Sequence, residues 1–418
     1  MRRLRIAVYH NLRPGGALRA LDELLRRSSA THDYDLFETT DAFERRTRAG
    51  MGVAPETHCL QHHRLPLPDV PLGALPLGHA HPLRTMWQLD RVETEVAAAI
   101  DRGGYDLAFV HPCYFRYSPA ILRKLRTPVV FFAQEARRPT FEYWARRRRH
   151  EGWRSGTNAA TRALMTLSGE VAEPFIVRSD RLAARAPGTY TLCNSVFSAE
   201  RLLAAYGIQA HPCYLGVDAD VFRPSDASDA VRAEPVGGTA TVVAVGRLSP
   251  TKRHDLVIEA LARLPAETRP GLIVVGERQG GRYETAMQQL AARSGVRLDL
   301  LSAASDADLV DAYRSAGATI CASELEPFGL TALESIACGT PVVAVREGGF
   351  RESVQDGLTG VLVEPSIGGL ADGLTRVLAD RARFRPEVLH ASIGAGGWTW
   401  DASVERLHGH YVAALAPR

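Results

Sequence analysis

Apolar residues in the C-terminal half of the chain fall in short continuous runs: Thr241–Val245, Leu272–Val275, Val296–Leu301, Ala318–Cys321, Pro341–Val345 and Gly360–Val363. Between them, at Asp255–Leu264, Tyr283–Ala292, Asp306–Ala316 and Leu330–Ala337, apolar positions recur at the three- and four-residue spacing of a helix face. A strand that is apolar throughout, rather than at every second position, has helices covering both faces of its sheet. Strand–helix–strand repetition of this kind implies right-handed crossovers and a doubly wound parallel sheet.

The N-terminal half repeats the pattern less cleanly. Strands are expected at Arg5–Tyr9, Tyr34–Phe37, Asp106–Val110, Pro128–Phe132, Thr189–Cys193 and Pro212–Leu215. Leu65–Leu83, rich in proline and glycine, reads as a long loop, and 137–170, basic and aromatic with Phe141, Trp144 and Trp153, as an inserted helical excursion. A junction is expected near Gly216-Val217-Asp218, followed by a linker over Pro224–Gly238. Trp398–Leu415 has helical spacing and is expected to cross back onto the first half. The fold class is therefore α/β with two doubly wound Rossmann-like domains facing a central cleft. Their boundaries are 1–215 (with the basic insertion at 137–170), 216–397, and a returning segment at 398–418.

Length and composition narrow the class. At roughly 150 residues per domain, 418 residues hold two or three units. The 45% hydrophobic and 23% charged content exclude a disordered chain, a coiled coil or a collagen-like fibre. No run of 18 apolar residues suggests a membrane span, and the apolar run at the start is too short for a signal peptide, so a cytoplasmic protein is expected. Six dispersed cysteines without a CxxC pair read as reduced, buried thiols. The net charge is +3, but seven arginines against two glutamates between Arg137 and Arg154 give a local excess of 7 − 2 = +5.

Candidate chemistry lies at the carboxyl ends of strands. After Cys321 comes Ser323-Glu324-Leu325-Glu326-Pro327-Phe328-Gly329, then a helix; its free N–H groups and positive dipole end suit a phosphate or diphosphate, with Gly329 permitting close approach. Thr331 and Glu334 are also spaced as a capping box, which needs no ligand. Arg247 and Lys252, following the first strand of the second half, are placed to neutralise a diphosphate leaving group, or are solvated loop charges. Gly15-Gly16 forms a glycine turn into a helix but lacks both G-x-G-x-x-G and a G-K-[ST] ending.

Further marks stand in order along the chain: Gly15-Gly16; Asn194-Ser195; Gly216-Val217-Asp218 with Phe222-Arg223-Pro224; Gly246-Arg247-Leu248 with Lys252; Glu326-Pro327-Phe328-Gly329 with Glu334; Ala337-Cys338-Gly339-Thr340-Pro341; Gly348-Gly349 with Glu352; Asp356-Gly357, Gly360 and Trp400. Together they resemble the retaining nucleotide-sugar glycosyltransferases of the two-Rossmann-domain (GT-B) type, in the fourth glycosyltransferase sequence family. Glu326 and Glu334, with seven residues between them, match that family's E-x7-E motif. The resemblance implies that Arg247 and Lys252 hold the donor diphosphate and that Glu334 binds ribose hydroxyls. It places Glu326 and the backbone of Phe328, Gly329 and Leu330 towards the donor sugar, and lets Gly15 and Gly16 close on the phosphates. It implies a nucleotide diphosphate sugar as donor, a hydroxyl acceptor, retention of configuration, and neither cofactor nor metal.

Two departures matter. Where many relatives carry an acceptor-side histidine, this chain reads Ala133-Gln134-Glu135; Glu135, or His111 at the end of the preceding strand, is then the candidate acid–base group, His111 being equally readable as a buried polar residue. The lysine loop continues Lys252-Arg253-His254 instead of with the frequent glycine, so a tight turn is not assured. Asp33/Asp35, Asp218/Asp220 and Asp306/Asp308 mimic metal-binding D-x-D pairs, with Asp306 readable as a helix cap. The tryptophans and arginines of 137–154 suit an anionic lipid surface at the inner face of the membrane, a phosphorylated acceptor, or a solvated helix face; nucleic acid is not expected. The leading expectation is sugar transfer to a hydroxyl in glycolipid, polysaccharide or glycoconjugate synthesis. The alternatives are a nucleotide-sugar epimerase on the same fold and a non-catalytic nucleotide-sugar binding subunit of a partner transferase.

Overall fold

In the computed structural model the described residues are 2–48, 54–68, 82–138, 159–225, 240–276, 281–302 and 305–416, with side chains in the helix Ala159–Ala184 described from residue 171. Phe141, Trp144, Trp153, most of the loop expected at Leu65–Leu83 and most of the linker expected at Pro224–Gly238 lie outside them. The chain divides into two units, one running to Tyr214 and completed by Ser403–Arg418, the other spanning Leu215–Ala402.

In the first unit a parallel sheet is built from β1 (Arg5–Asn11), β2 (Asp33–Thr39), β3 (Gln61–Leu65), β4 (Leu107–Cys113), β5 (Val129–Phe132), β6 (Thr189–Cys193) and β7 (His211–Pro212), in the order β3-β2-β1-β4-β5-β6-β7. In the second, β8 (Thr241–Val245), β9 (Gly271–Val275), β10 (Leu298–Leu301), β11 (Ala318–Cys321), β12 (Val342–Val345) and β13 (Gly360–Val363) lie in the order β10-β9-β8-β11-β12-β13. In both, the order reverses beside the first strand, at β1/β4 and at β8/β11, which is where doubly wound sheets open a crevice for ligands.

Every residue of β4, β5, β11, β12 and the edge strand β13 is buried. That is the physical origin of the continuous apolar runs. β3 (Gln-His-His-Arg-Leu) shows none: partly exposed at its edge, it is held by backbone pairing with β2, from Asp35↔Gln61 to Thr39↔Leu65. Nor does β7 reach the expected Leu215; its pairing with β6 ends at Pro212.

The helix Trp400–Leu415 supplies the last layer of the first unit from Ser403 onward. Ser403 Oγ donates to the Tyr214 carbonyl at 2.6 Å, the rings of His32 and His408 stack with nitrogens 3.0 Å apart, and Tyr411, fully buried, sets its ring edge-on to Phe109 at 5.5 Å.

Candidate active site

In the second unit, three loops at the carboxyl ends of β8, β11 and β12 form one assembly. From β8 the chain passes Gly246 and the exposed Arg247, makes a short turn over Pro250–Lys252, and enters the helix His254–Ala262. Lys252 Nζ donates to Glu326 Oε2 at 2.8 Å, each side chain retaining about a quarter of its exposure. The Glu324 N–H donates to the Thr251 carbonyl at 2.9 Å, tying the β11 loop to the β8 loop through backbone as well.

The β11 loop ends at Gly329, whose φ of 92° opens the helix Leu330–Ala337. No side chain caps that helix, so the Thr331/Glu334 capping box does not form. Thr331 Oγ1 instead lies 3.9 Å from Cys321 Sγ, and Glu334, buried, accepts a hydrogen bond of 2.8 Å from the Tyr313 hydroxyl. The third loop braces the second: the Gly349 N–H donates to the Glu326 carbonyl at 2.7 Å. A Cβ on Gly348, where φ is 56°, would stand 2.3 Å from that same oxygen. The Gly348-Gly349 pair is therefore the contact surface that fixes the backbone around Glu326.

The turn after Lys252 forms without glycine, because Arg253 itself takes the left-handed conformation (φ 51°, ψ 39°). Its guanidinium pairs with Glu347 Oε2 at 2.8 Å and with Glu324 Oε1 at 3.0 Å. Sequence reasoning noted Arg253 only as a departure and passed over Glu347; the available signal was an extra cation beside Lys252 and an extra acid beside Gly348. His254, next along, is buried with Nε2 facing the Arg247 carbonyl at 3.4 Å, and burial pulls its pKa down to about 4.

In the first unit, Gly15 is the N-cap of the helix Gly16–Ser28; its carbonyl accepts from Leu18 and Arg19 at 3.1 Å, and Gly16 is exposed. β4 runs on to Cys113, so His111 lies inside that strand rather than at its end. It is fully buried, edge-on to Phe109 at 4.4 Å, with neither ring nitrogen hydrogen-bonded among the described residues, and burial holds its pKa well below the ordinary value. Glu135, one-third exposed, accepts from Arg138 Nε at 2.7 Å. Arg137 is buried against Glu173 at 3.0 Å, so it anchors its own unit rather than adding to a surface charge. Arg138 is taken up by Glu135, and the remaining arginines of the basic excursion lie outside the described residues.

Where β1 and β4 end, side by side, stands a group that sequence reasoning missed. Arg45 Nη2 donates to Asn11 Oδ1 at 2.8 Å, its guanidinium lies 4.1 Å over the Tyr114 ring, and Arg13 lies 5.0 Å over the same ring. Arg45 belongs to the helix Thr40–Arg48, and only the sheet order brings it to Asn11.

The D-x-D aspartates serve local structure. Asp33 and Asp35 pair with Arg3 and Arg5, Asp218 accepts the N–H of Asp220 at 3.2 Å, and Asp308 accepts from Ser305. Ser305, not Asp306, is the cap of the helix Asp306–Ser315. Among the described residues no three His, Cys, Asp or Glu side chains gather as a metal site.

Residues 229–390, which include all three loops of the assembly, match the model of the glycosyl transferases group 1. Over that stretch the chain is similar to this family. The D-inositol 3-phosphate glycosyltransferase of Geodermatophilus obscurus is 37% identical over 255 residues, 58% of this chain and 54% of that relative. The chain thus spans little more than half the length of that curated relative. The Anabaena protein Alr3699/HepE, solved in complex with UDP and glucose, superposes with a TM-score of 0.68 at 20% identity, covering 98% of this chain and all of that one. Sucrose-phosphate synthase from Thermosynechococcus elongatus superposes with a TM-score of 0.70 at 19% identity, covering 98% and 99%. These likenesses establish the GT-B fold. Among the described residues no helix is long and apolar enough to cross a membrane.

Proposed function

We propose that this protein is a group 1 glycosyl transferase and moves a sugar from a nucleoside diphosphate sugar to a hydroxyl acceptor, with retention at the anomeric carbon and without a metal. The observation that carries the reading is the Lys252–Glu326 pair, 2.8 Å apart at the β8/β11 crossover and braced from behind by Gly349. An ammonium and the exposed Arg247 on one loop, facing a helix start on the next, form an electropositive seat for a diphosphate. Glu326 would face the donor sugar with the Phe328–Leu330 backbone, and Glu334 the ribose hydroxyls, oriented by the Tyr313 hydroxyl.

The reaction breaks the bond from the anomeric carbon to the diphosphate oxygen and forms one to the acceptor oxygen on the same face. Negative charge grows on the departing diphosphate, where Lys252 and Arg247 stabilise it more in the transition state than in the bound donor. Glu135 takes the hydroxyl proton in this scheme. His111, buried in β4 with a depressed pKa, is the poorer base. Arg13 and Arg45, both stacked on Tyr114 at the ends of β1 and β4, suit a phosphorylated acceptor. The curated relative's name, D-inositol 3-phosphate glycosyltransferase, makes that compound the first acceptor to try.

The test is release of nucleoside diphosphate by purified protein given a panel of nucleotide sugars, UDP-glucose among them, with D-inositol 3-phosphate and other hydroxyl acceptors. Lys252→Ala and Glu326→Ala should each lower turnover by about 10²-fold or more. Full activity in both variants would overturn the site; an epimeric sugar product formed without acceptor, seen by NMR, would identify an epimerase.

A further inference from the structure

Arg253 occupies a backbone conformation that costs a residue with a side chain about 1 kcal/mol or more. That conformation sets its guanidinium between carboxylates from two other loops: Glu324, two residues before Glu326, and Glu347, immediately before the Gly348-Gly349 turn that braces Glu326. All three side chains are largely shielded, at 15%, 11% and 21% exposure, so water screens their charges poorly. Within these ion pairs Lys252 and Arg253 meet Glu324, Glu326 and Glu347, a formal balance of 2 − 3 = −1. Without Arg253 the balance is −2, against a ligand that is itself an anion.

We propose that Arg253 is a positioning residue for the diphosphate seat. It neutralises Glu324 and Glu347 and holds them to itself, leaving Lys252 and Arg247 to present positive charge to the ligand; Arg253 does not contact the diphosphate. The inference rests on the diphosphate reading of the same assembly.

Calorimetric titration of the full chain with UDP and with inorganic pyrophosphate tests it. Arg253→Gly keeps the turn, since glycine takes left-handed conformations freely. Its melting temperature should fall, since two shielded carboxylates lose their partner, and the variant, titrated below its melting transition, should bind both ligands about tenfold more weakly. Replacing the acids as well, in R253G/E324Q/E347Q, should restore affinity to within about threefold, because the uncompensated charge is gone. A separate variant, E324Q/E347Q with Arg253 kept, should bind at least as tightly as the wild type. Unchanged affinity in R253G, failure of the triple variant to recover, or weaker binding by E324Q/E347Q would each overturn the inference. Wild-type protein that binds neither UDP, ADP, GDP nor pyrophosphate would instead overturn the diphosphate reading and this inference with it.

Discussion

Asp180 is fully buried, with one carboxylate oxygen accepting the Ser118 N–H at 3.1 Å and the other unpartnered among the described residues. Burial raises its pKa from 3.8 to about 7. The folded protein therefore holds a proton here that the unfolded chain releases above pH 4, and stability falls as pH rises from about 4 to 7. Asp180→Asn should match the wild type near pH 5 and exceed its stability by about 2 kcal/mol at pH 8; thermal melts across that range would show the divergence. Gly348 is the opposite case, a residue required for its lack of side chain. Gly348→Ala should cost about 1–3 kcal/mol and displace Glu326, so that turnover falls further than the loss in melting temperature accounts for. Kinetics on the folded variant separate the two effects.

Among elements, the helix Asp306–Ser315 connects stability to the site. Ser305 accepts from the Asp308 N–H while the Asp308 carboxylate accepts from the Ser305 N–H, a reciprocal cap, and near the far end Tyr313 reaches Glu334. Ser305→Ala should cost about 1 kcal/mol, read in urea denaturation, with an unchanged denaturant slope. The strands covered by helices were legible in the sequence, Thr241–Val245, Thr189–Cys193 and Gly360–Val363 to the residue, because burial demands unbroken apolar runs. β3 was not legible: partly exposed at its edge, it is held by backbone pairing with β2 and carries no apolar run of its own. The Arg253 turn was missed for a related reason, since a left-handed residue held by carboxylates 71 and 94 positions away leaves no local signature.

At the scale of the whole molecule, the last helix returns to the unit where the chain began. Tyr411 seals it against Phe109 and His32 with rings 5.5 and 5.8 Å apart, so Tyr411→Ala should destabilise the first unit by about 3–5 kcal/mol. Scanning calorimetry should show the loss in one transition if the units melt separately. What the sequence by itself determined is the class of the chain: two doubly wound sheets, with Lys252 and Glu326 on the loops after their strands and Glu334 in the helix that follows. Periodicity and motif spacing are local properties, and each strand's burial is written in its own residues. Only the tertiary structure decided which groups meet: Lys252 with Glu326, Arg253 with Glu324 and Glu347, Arg45 with Asn11. Strand order sets those encounters, and strand order follows from the packing of the whole sheet rather than from any one segment.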